Sequence, residues 1–128
     1  LALAAAQAVV RHLQSEGPQL QQRLNRRTAE FVGELNDYFT RQGLPIQMAH
    51  FGSLFGPATA GEAESSSSNE MGAIAVKLLI YLLRDRGVLL RGGGGFLSTA
   101  HSDADLEAIL QAVRDSVEEL QLARMLSR

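Results

Sequence analysis

Cysteine and tryptophan are both absent from this 128-residue chain. Without cysteine there is no disulfide framework and no thiolate metal site. The three histidines, His12, His50 and His101, are too scattered to have ligand spacing, and no metal site is expected. The lack of disulfides is compatible with a reducing compartment, and a cytoplasmic location is the expectation. An excess of one charge is lacking too, since 12 basic and 14 acidic side chains leave a formal net charge of −2 with both signs interspersed. Nucleic acid and anionic membrane surfaces both call for clustered basic residues, so neither partner is expected. No run reaches the roughly 20 apolar residues of a membrane span. Leu1 to Val10 is as apolar as a signal-peptide core, yet it has no basic leader and runs on into an amphipathic helix.

What is present is organised around residues 87 to 113, GVLLRGGGGFLSTAHSDADLEAILQAV. Two short apolar stretches, Val88 to Leu90 and Phe96 to Thr99, flank Gly92 to Gly95, which predicts two strands joined by a tight glycine turn. Ser102 and Asp105 have the spacing of a capping pair, and Asp103, Asp105 and Glu107 place negative charge at the positive end of a helix starting near Asp103. Leu106, Ile109, Leu110, Val113, Val117 and Leu120 form its buried stripe, and this helix is expected to pack on the hairpin.

Residues 1 to 14 favour a helix whose apolar positions run almost all round the cylinder, so it needs cover on several sides. Gly17 and Pro18 interrupt it. A second helix follows from Gln19 to Gln42, apolar at Leu20, Leu24, Thr28, Phe31, Val32, Leu35 and Phe39, with Gly43 as its stop. Ile46 to Pro57 alternates and predicts one or two strands bent at Gly52. A glycine there marks either a bulge at a sheet corner or a close approach that turns Gly52 and Ser53 toward a ligand cleft. Ala60 to Asn69 is small and polar, which predicts a loop without a core of its own. The next helix, Glu70 to Arg86, has Met71, Ile74, Ala75, Leu78, Leu79 and Leu82 as its expected core stripe, with Lys77 and Arg84 opposite. Val76 and Ile80 fall outside that stripe, either as ordinary exposed residues or as a contact with another domain.

The chemistry-bearing residues are weak as motifs. Gly92 to Gly95 leads into a strand and lacks the Gly-Lys-Ser/Thr of a phosphate cradle. Ser98, His101 and Asp103 are the residue types of a hydrolase triad, but no nucleophile elbow surrounds them. His101 is expected instead to hydrogen-bond to backbone around the strand-to-helix turn. Lys77 is the only lysine. It falls on the polar side of its helix, whereas a covalent cofactor link needs a partly desolvated amine.

GFLSTAHSDADLEAIL, preceded by LLRDRGVLL, resembles the C-terminal end of class III pyridoxal-phosphate aminotransferases of the glutamate-1-semialdehyde aminomutase-like branch. HFGSLFGPAT at 50 to 59 is similar to that branch's glycine-containing strand, and LALAAAQAVVRHLQ at 1 to 14 is similar to the helix leaving its large domain. The form of residues 96 to 103 looks closest to aminotransferase domains embedded in hybrid polyketide and nonribosomal peptide synthases. The resemblance implies a connecting helix at 1 to 14 and a C-terminal small domain at 15 to 128. The fold implied is α+β, a three- or four-stranded antiparallel sheet from 46 to 57 and 88 to 99, covered on one face by the helices from 19, 70 and 103.

It further implies amino transfer from an amino-acid donor to a keto or aldehyde acceptor. Pyridoxal 5'-phosphate would be held by a large domain whose cofactor lysine lies upstream of Leu1. On that reading the chain contains no catalytic or cofactor-binding residue and is inactive alone. Its partners would be the large domain, a second subunit in a homodimer, and an acyl carrier protein in a synthase. Gly52, Ser53 and Arg91 are the candidates for the substrate entrance. Related enzymes carry a longer segment with an acidic residue where this chain has Arg91 and four glycines, so Arg91 either favours an anionic group in the cleft or is a solvated edge residue. Two alternatives stand beside this: an aminomutase that moves the amino group within one substrate, and a free-standing interaction module.

Overall fold

In the computed structural model, residues 1–58, 67–91 and 94–123 are described. The chain begins with α1 (Ala2–Glu16) and α2 (Pro18–Arg41), which meet at Gly17 with Pro18 in the first turn of α2, where its missing N–H costs nothing. The strands β1 (Met48–Phe51) and β2 (Leu54–Pro57) follow, then α3 (Ser67–Asp85), β3 (Gly95–Phe96) and α4 (Asp103–Leu122). The strands make a three-stranded antiparallel sheet in the order β1-β2-β3. This is the α+β architecture expected, with α2, α3 and α4 gathered over one core.

That core forms where the inward residues of the sheet meet the helices. Met48 and Phe55 face the stripe Phe31, Val32, Leu35 and Phe39 of α2, and the ring of Phe55 meets Phe31 edge-on at 5.5 Å. From α4 come Leu106, Leu110, Val113, Val117 and Leu120, all buried, while Ile109 is partly buried. The main partner of α4 is α3 rather than the hairpin segment. An ion pair from Arg86 to Glu119 at 2.6 Å ties the end of α3 to it. Two hydroxyls sit in this core with no exposure, Thr28 and Ser116. Each donates to a carbonyl one turn back in its own helix, Leu24 at 2.9 Å and Ala112 at 2.6 Å.

Three expectations are corrected. Val88 to Leu90 is not a strand. Gly87 takes a φ of 80° that a side chain would resist, its N–H donates to the carbonyl of Arg84, and Val88 donates to Leu83. These are the two bonds of a Schellman stop, so Val88 is spent closing α3. The second predicted strand, Phe96 to Thr99, is shortened to Gly95 and Phe96, because the Ser98 N–H turns to His101 instead of a neighbouring strand. In α3 the stripe is broader than expected. Leu79 and Leu83 are buried, Val76 and the expected Leu78 and Leu82 pack against the core, and Ile74 is exposed. Residues 76, 79, 80 and 83 hold helical spacing as well as 74, 78 and 82 do, and in a helix apolar on most sides the sequence does not choose between them.

Of the predicted loop at 60 to 69, residues 60–66 lie outside the described residues and 67–69 begin α3. The side chains of Met71 and Ala75 and the residues Gly92 and Gly93 also lie outside them. No helix among the described residues is long and apolar enough to cross a membrane. None of the side chains of α1 is buried, and Leu1, Leu3, Val9, Val10 and Leu13 are exposed.

Candidate functional site

Side chains alternate across a strand, so a sheet covered by helices on one face presents every second residue on the other. Register puts Phe51 opposite Leu54 and Leu54 opposite Phe96, which aligns the three in a row across the uncovered face. Phe51 is 87% and Phe96 69% exposed. Beside the row the side chains are minimal: Ala49 pairs with Gly56, and Gly56 lies against Gly94. The result is a shallow groove of about 540 Å³, bounded by the row and also lined by His50, Pro57 and Arg91. Arg91 and Gly94 exchange backbone hydrogen bonds at 3.0 and 3.2 Å, and Arg91 is among the residues lining the groove. Its side chain is exposed and makes no ion pair among the described residues.

Of the three entrance candidates, only Arg91 lines this groove. Gly52 and Ser53 form the two-residue turn between β1 and β2, with Gly52 at φ 60°, which is a hairpin turn and not a bulge at a sheet corner. They flank the row through their neighbours Phe51 and Leu54. The Ser53 carbonyl accepts from the Leu97 N–H at 2.9 Å, so this turn also holds the chain leaving β3. The apolar row was missed in the sequence. The signal that finds it is the alternation of Ala49, Phe51, Leu54 and Gly56 once the turn is placed at Gly52 and Ser53.

His101 behaves as expected. Its Nδ1 accepts from the Ser98 N–H at 3.0 Å and sits 3.0 Å from the Ser98 hydroxyl. Asp103 does not orient this imidazole; it pairs with Arg27 at 2.7 Å, and Arg27 also donates to the His101 carbonyl. A serine and a histidine without a third group to fix the base make a local turn, not a hydrolytic centre. A second groove, near α2 and Thr99, is lined by Arg23, Arg26 and Arg27. Each of these has a carboxylate within 4.0 Å, from Glu16, Glu30 and Asp103 respectively. No group of three metal-ligating side chains occurs among the described residues.

The helix that follows this turn starts as the capping residues require. Asp105 donates its N–H to Ser102 Oγ at 3.2 Å, and its carboxylate accepts from the Ser102 N–H at 2.7 Å, a reciprocal capping box. The hydroxyl of Ser102 also donates to that carboxylate at 2.7 Å. The Ser102 side-chain bond, then its backbone bond, hold the Asp105 carboxyl below its ordinary range. Because the folded value is the lower one, the stabilisation is complete above the unfolded value and is lost as pH falls through the folded value. NMR titration of Asp105 is expected to show the depressed midpoint and its return toward normal in Ser102→Ala. That variant should also cost about 1 kcal/mol in denaturant unfolding.

No family model matches the chain. In sequence it is 28% identical over 102 residues to a glutamate-1-semialdehyde 2,1-aminomutase from Chloroflexus aggregans, covering 73% of this chain and 23% of that protein. In structure it matches a transaminase solved with pyridoxal phosphate bound, with a TM-score of 0.66 and 21% identity, over 84% of this chain and 25% of the other. An omega-transaminase from Sphaerobacter thermophilus matches with a TM-score of 0.67 and 18% identity, over 85% and 26%. The chain thus spans about a quarter of the length of these proteins.

The residues described do not fit the cofactor itself. Lys77 is exposed on α3 and does not line the groove, where Arg91 is the only lysine or arginine. A desolvated amine and a phosphate cradle are what the cofactor needs, and the groove offers neither. The chain therefore has the α+β fold of about a quarter of a pyridoxal-phosphate transaminase and resembles an aminomutase in sequence.

Proposed function

We propose that this chain is the C-terminal small domain of a class III pyridoxal-phosphate aminotransferase. Its role is to wall the substrate entrance of an active site whose cofactor is held by a large domain. The observation that carries this is convergence: sequence and fold comparisons each cover more than seven-tenths of the chain, and both arrive at enzymes of amino-group chemistry. The cofactor takes up and hands on the amino group, and this domain supplies shape. The Phe51, Leu54 and Phe96 row gives an apolar surface that excludes water from one side of the entrance, and the turn at Gly52 and Ser53 borders it.

The proposal includes a homodimer of the complete enzyme in the cytoplasm. The form of residues 96 to 103 favours a parent synthase in which an acyl carrier protein delivers a β-keto chain. An isomerising aminomutase is the second reading, favoured by the sequence match. The two separate on the intact protein supplied with pyridoxal phosphate. Amino transfer that requires an external amino donor supports the transferase, and conversion of a single substrate without one supports the mutase. A purified intact protein that takes up no cofactor, with no visible absorption band and no amino transfer, overturns both and leaves a non-catalytic module.

A further inference from the structure

We infer that the turn between β3 and α4 is a proton-operated latch, closed while His101 is neutral and released when its imidazole takes a second proton. The inference concerns the conformation of the chain and stands apart from the reading of the open face as a substrate entrance. Its basis is a bond that only one protonation state allows. A backbone N–H donates and does nothing else, so Nδ1 of His101, which accepts from the Ser98 N–H at 3.0 Å, carries the lone pair and Nε2 the proton. An imidazolium has no lone pair, and its Nδ1–H would face the Ser98 N–H donor to donor.

The neighbouring groups decide what is lost. The Ser98 hydroxyl, also 3.0 Å from Nδ1, can rotate and accept from the new N–H instead of donating. The Ser98 amide has no such choice. Strand β3 ends at Phe96, and among the described residues this imidazole is the only hydrogen-bond partner of the Ser98 N–H. The remaining backbone bond across the turn is longer, from the His101 N–H to the Ser98 carbonyl at 3.3 Å. Release leaves the exit of β3 held by the Leu97 N–H on the Ser53 carbonyl and by the pairing of Phe96 with Leu54. Phe96, at the end of the apolar row, loses the anchor behind it.

Charges of both signs face the turn. From α2, Arg27 donates to the His101 carbonyl and opposes a second cation. From the start of α4, Asp103 and Asp105 favour one, but Asp103 is engaged by Arg27 at 2.7 Å and the Asp105 carboxylate by the Ser102 N–H and hydroxyl, each at 2.7 Å. The latch bond belongs to the neutral ring, so it is present on the alkaline side of the His101 titration and is lost as pH falls through it.

NMR of the chain between about pH 8 and about pH 5 tests this, with the ring protons of His101 reporting its own protonation. Protection of the Ser98 amide against exchange, corrected for the intrinsic pH dependence, is expected to fall about fivefold, the size of one net hydrogen bond. The fall should share the midpoint of the ring titration, while buried amides of α4 such as Val117 stay constant and show that the fold persists. In His101→Asn and in His101→Gln, whose side-chain amides do not titrate, Ser98 protection should be independent of pH. A Ser98 amide that is indifferent to the ring titration overturns the latch. A response that survives both substitutions belongs to Asp103 or Asp105 and overturns it equally.

Discussion

Alanine at position 94 is expected to cost about 3 kcal/mol of folding stability, although it adds a single methyl group. A Cβ built on Gly94 would overlap the carbonyl oxygen of Phe55 and lie 2.9 Å from the Cα of Gly56. Both obstacles are backbone of β2, the central strand, so no side-chain rotation relieves the overlap. The Arg91 to Gly94 bridge and the β2 to β3 pairing must separate instead. Chemical denaturation checks the magnitude. The comparison that isolates the cause is Gly33→Ala in mid α2, where a Cβ meets nothing within 4 Å. That change should be neutral or slightly stabilising. If Gly94→Ala costs no more than a few tenths of a kcal/mol, β3 is not packed as described.

Replacing Asn36 by leucine should cost about 2 kcal/mol while leaving the helix intact. β1 is an edge strand, and edges leave peptide groups facing outward. Asn36, from α2, answers this with its amide. It accepts from the Met48 N–H at 2.8 Å and donates to the Met48 carbonyl at 2.9 Å, as a neighbouring strand would. Leucine has nearly the same shape but neither group, so the N–H and C=O of a buried residue lose both partners. Hydrogen exchange at Met48 is the sharper readout. Its amide should exchange faster in Asn36→Leu, well beyond the change in global stability, whereas amides in α4 should follow global stability alone.

The long amphipathic elements were legible in the sequence because their signal repeats. Six apolar positions at helical spacing define α4. A serine, an aspartate and the distance between them define its start. The registers that failed are those where two principles competed over a few residues. Val88 has a strand's side chain, but Gly87 before it recruits its N–H to close α3. Ser98 has a strand's position, but a histidine three residues on captures its N–H. In α3, apolar residues on most sides give two stripes of equal spacing, and only the packing against α2 and α4 chooses. The candidate site was legible in part. Arg91 stood out by its departure from a resembling pattern, whereas the row of Phe51, Leu54 and Phe96 depends on strand pairing. Leu54 and Phe96 are 42 positions apart, and nothing in either local stretch announces the other.

The two interior hydroxyls of α2 and α4 are each quenched within their own helix. Nothing polar passes between the helices at those two points; the bonds that do join α2 and α4 lie elsewhere, from Arg27 to Asp103 and from the Tyr38 hydroxyl to the Arg114 carbonyl. A lineage altering how these helices nest could resize the apolar groups around the two hydroxyls without rewiring a polar network there, and would meet directional constraints only at the Arg27 and Tyr38 contacts.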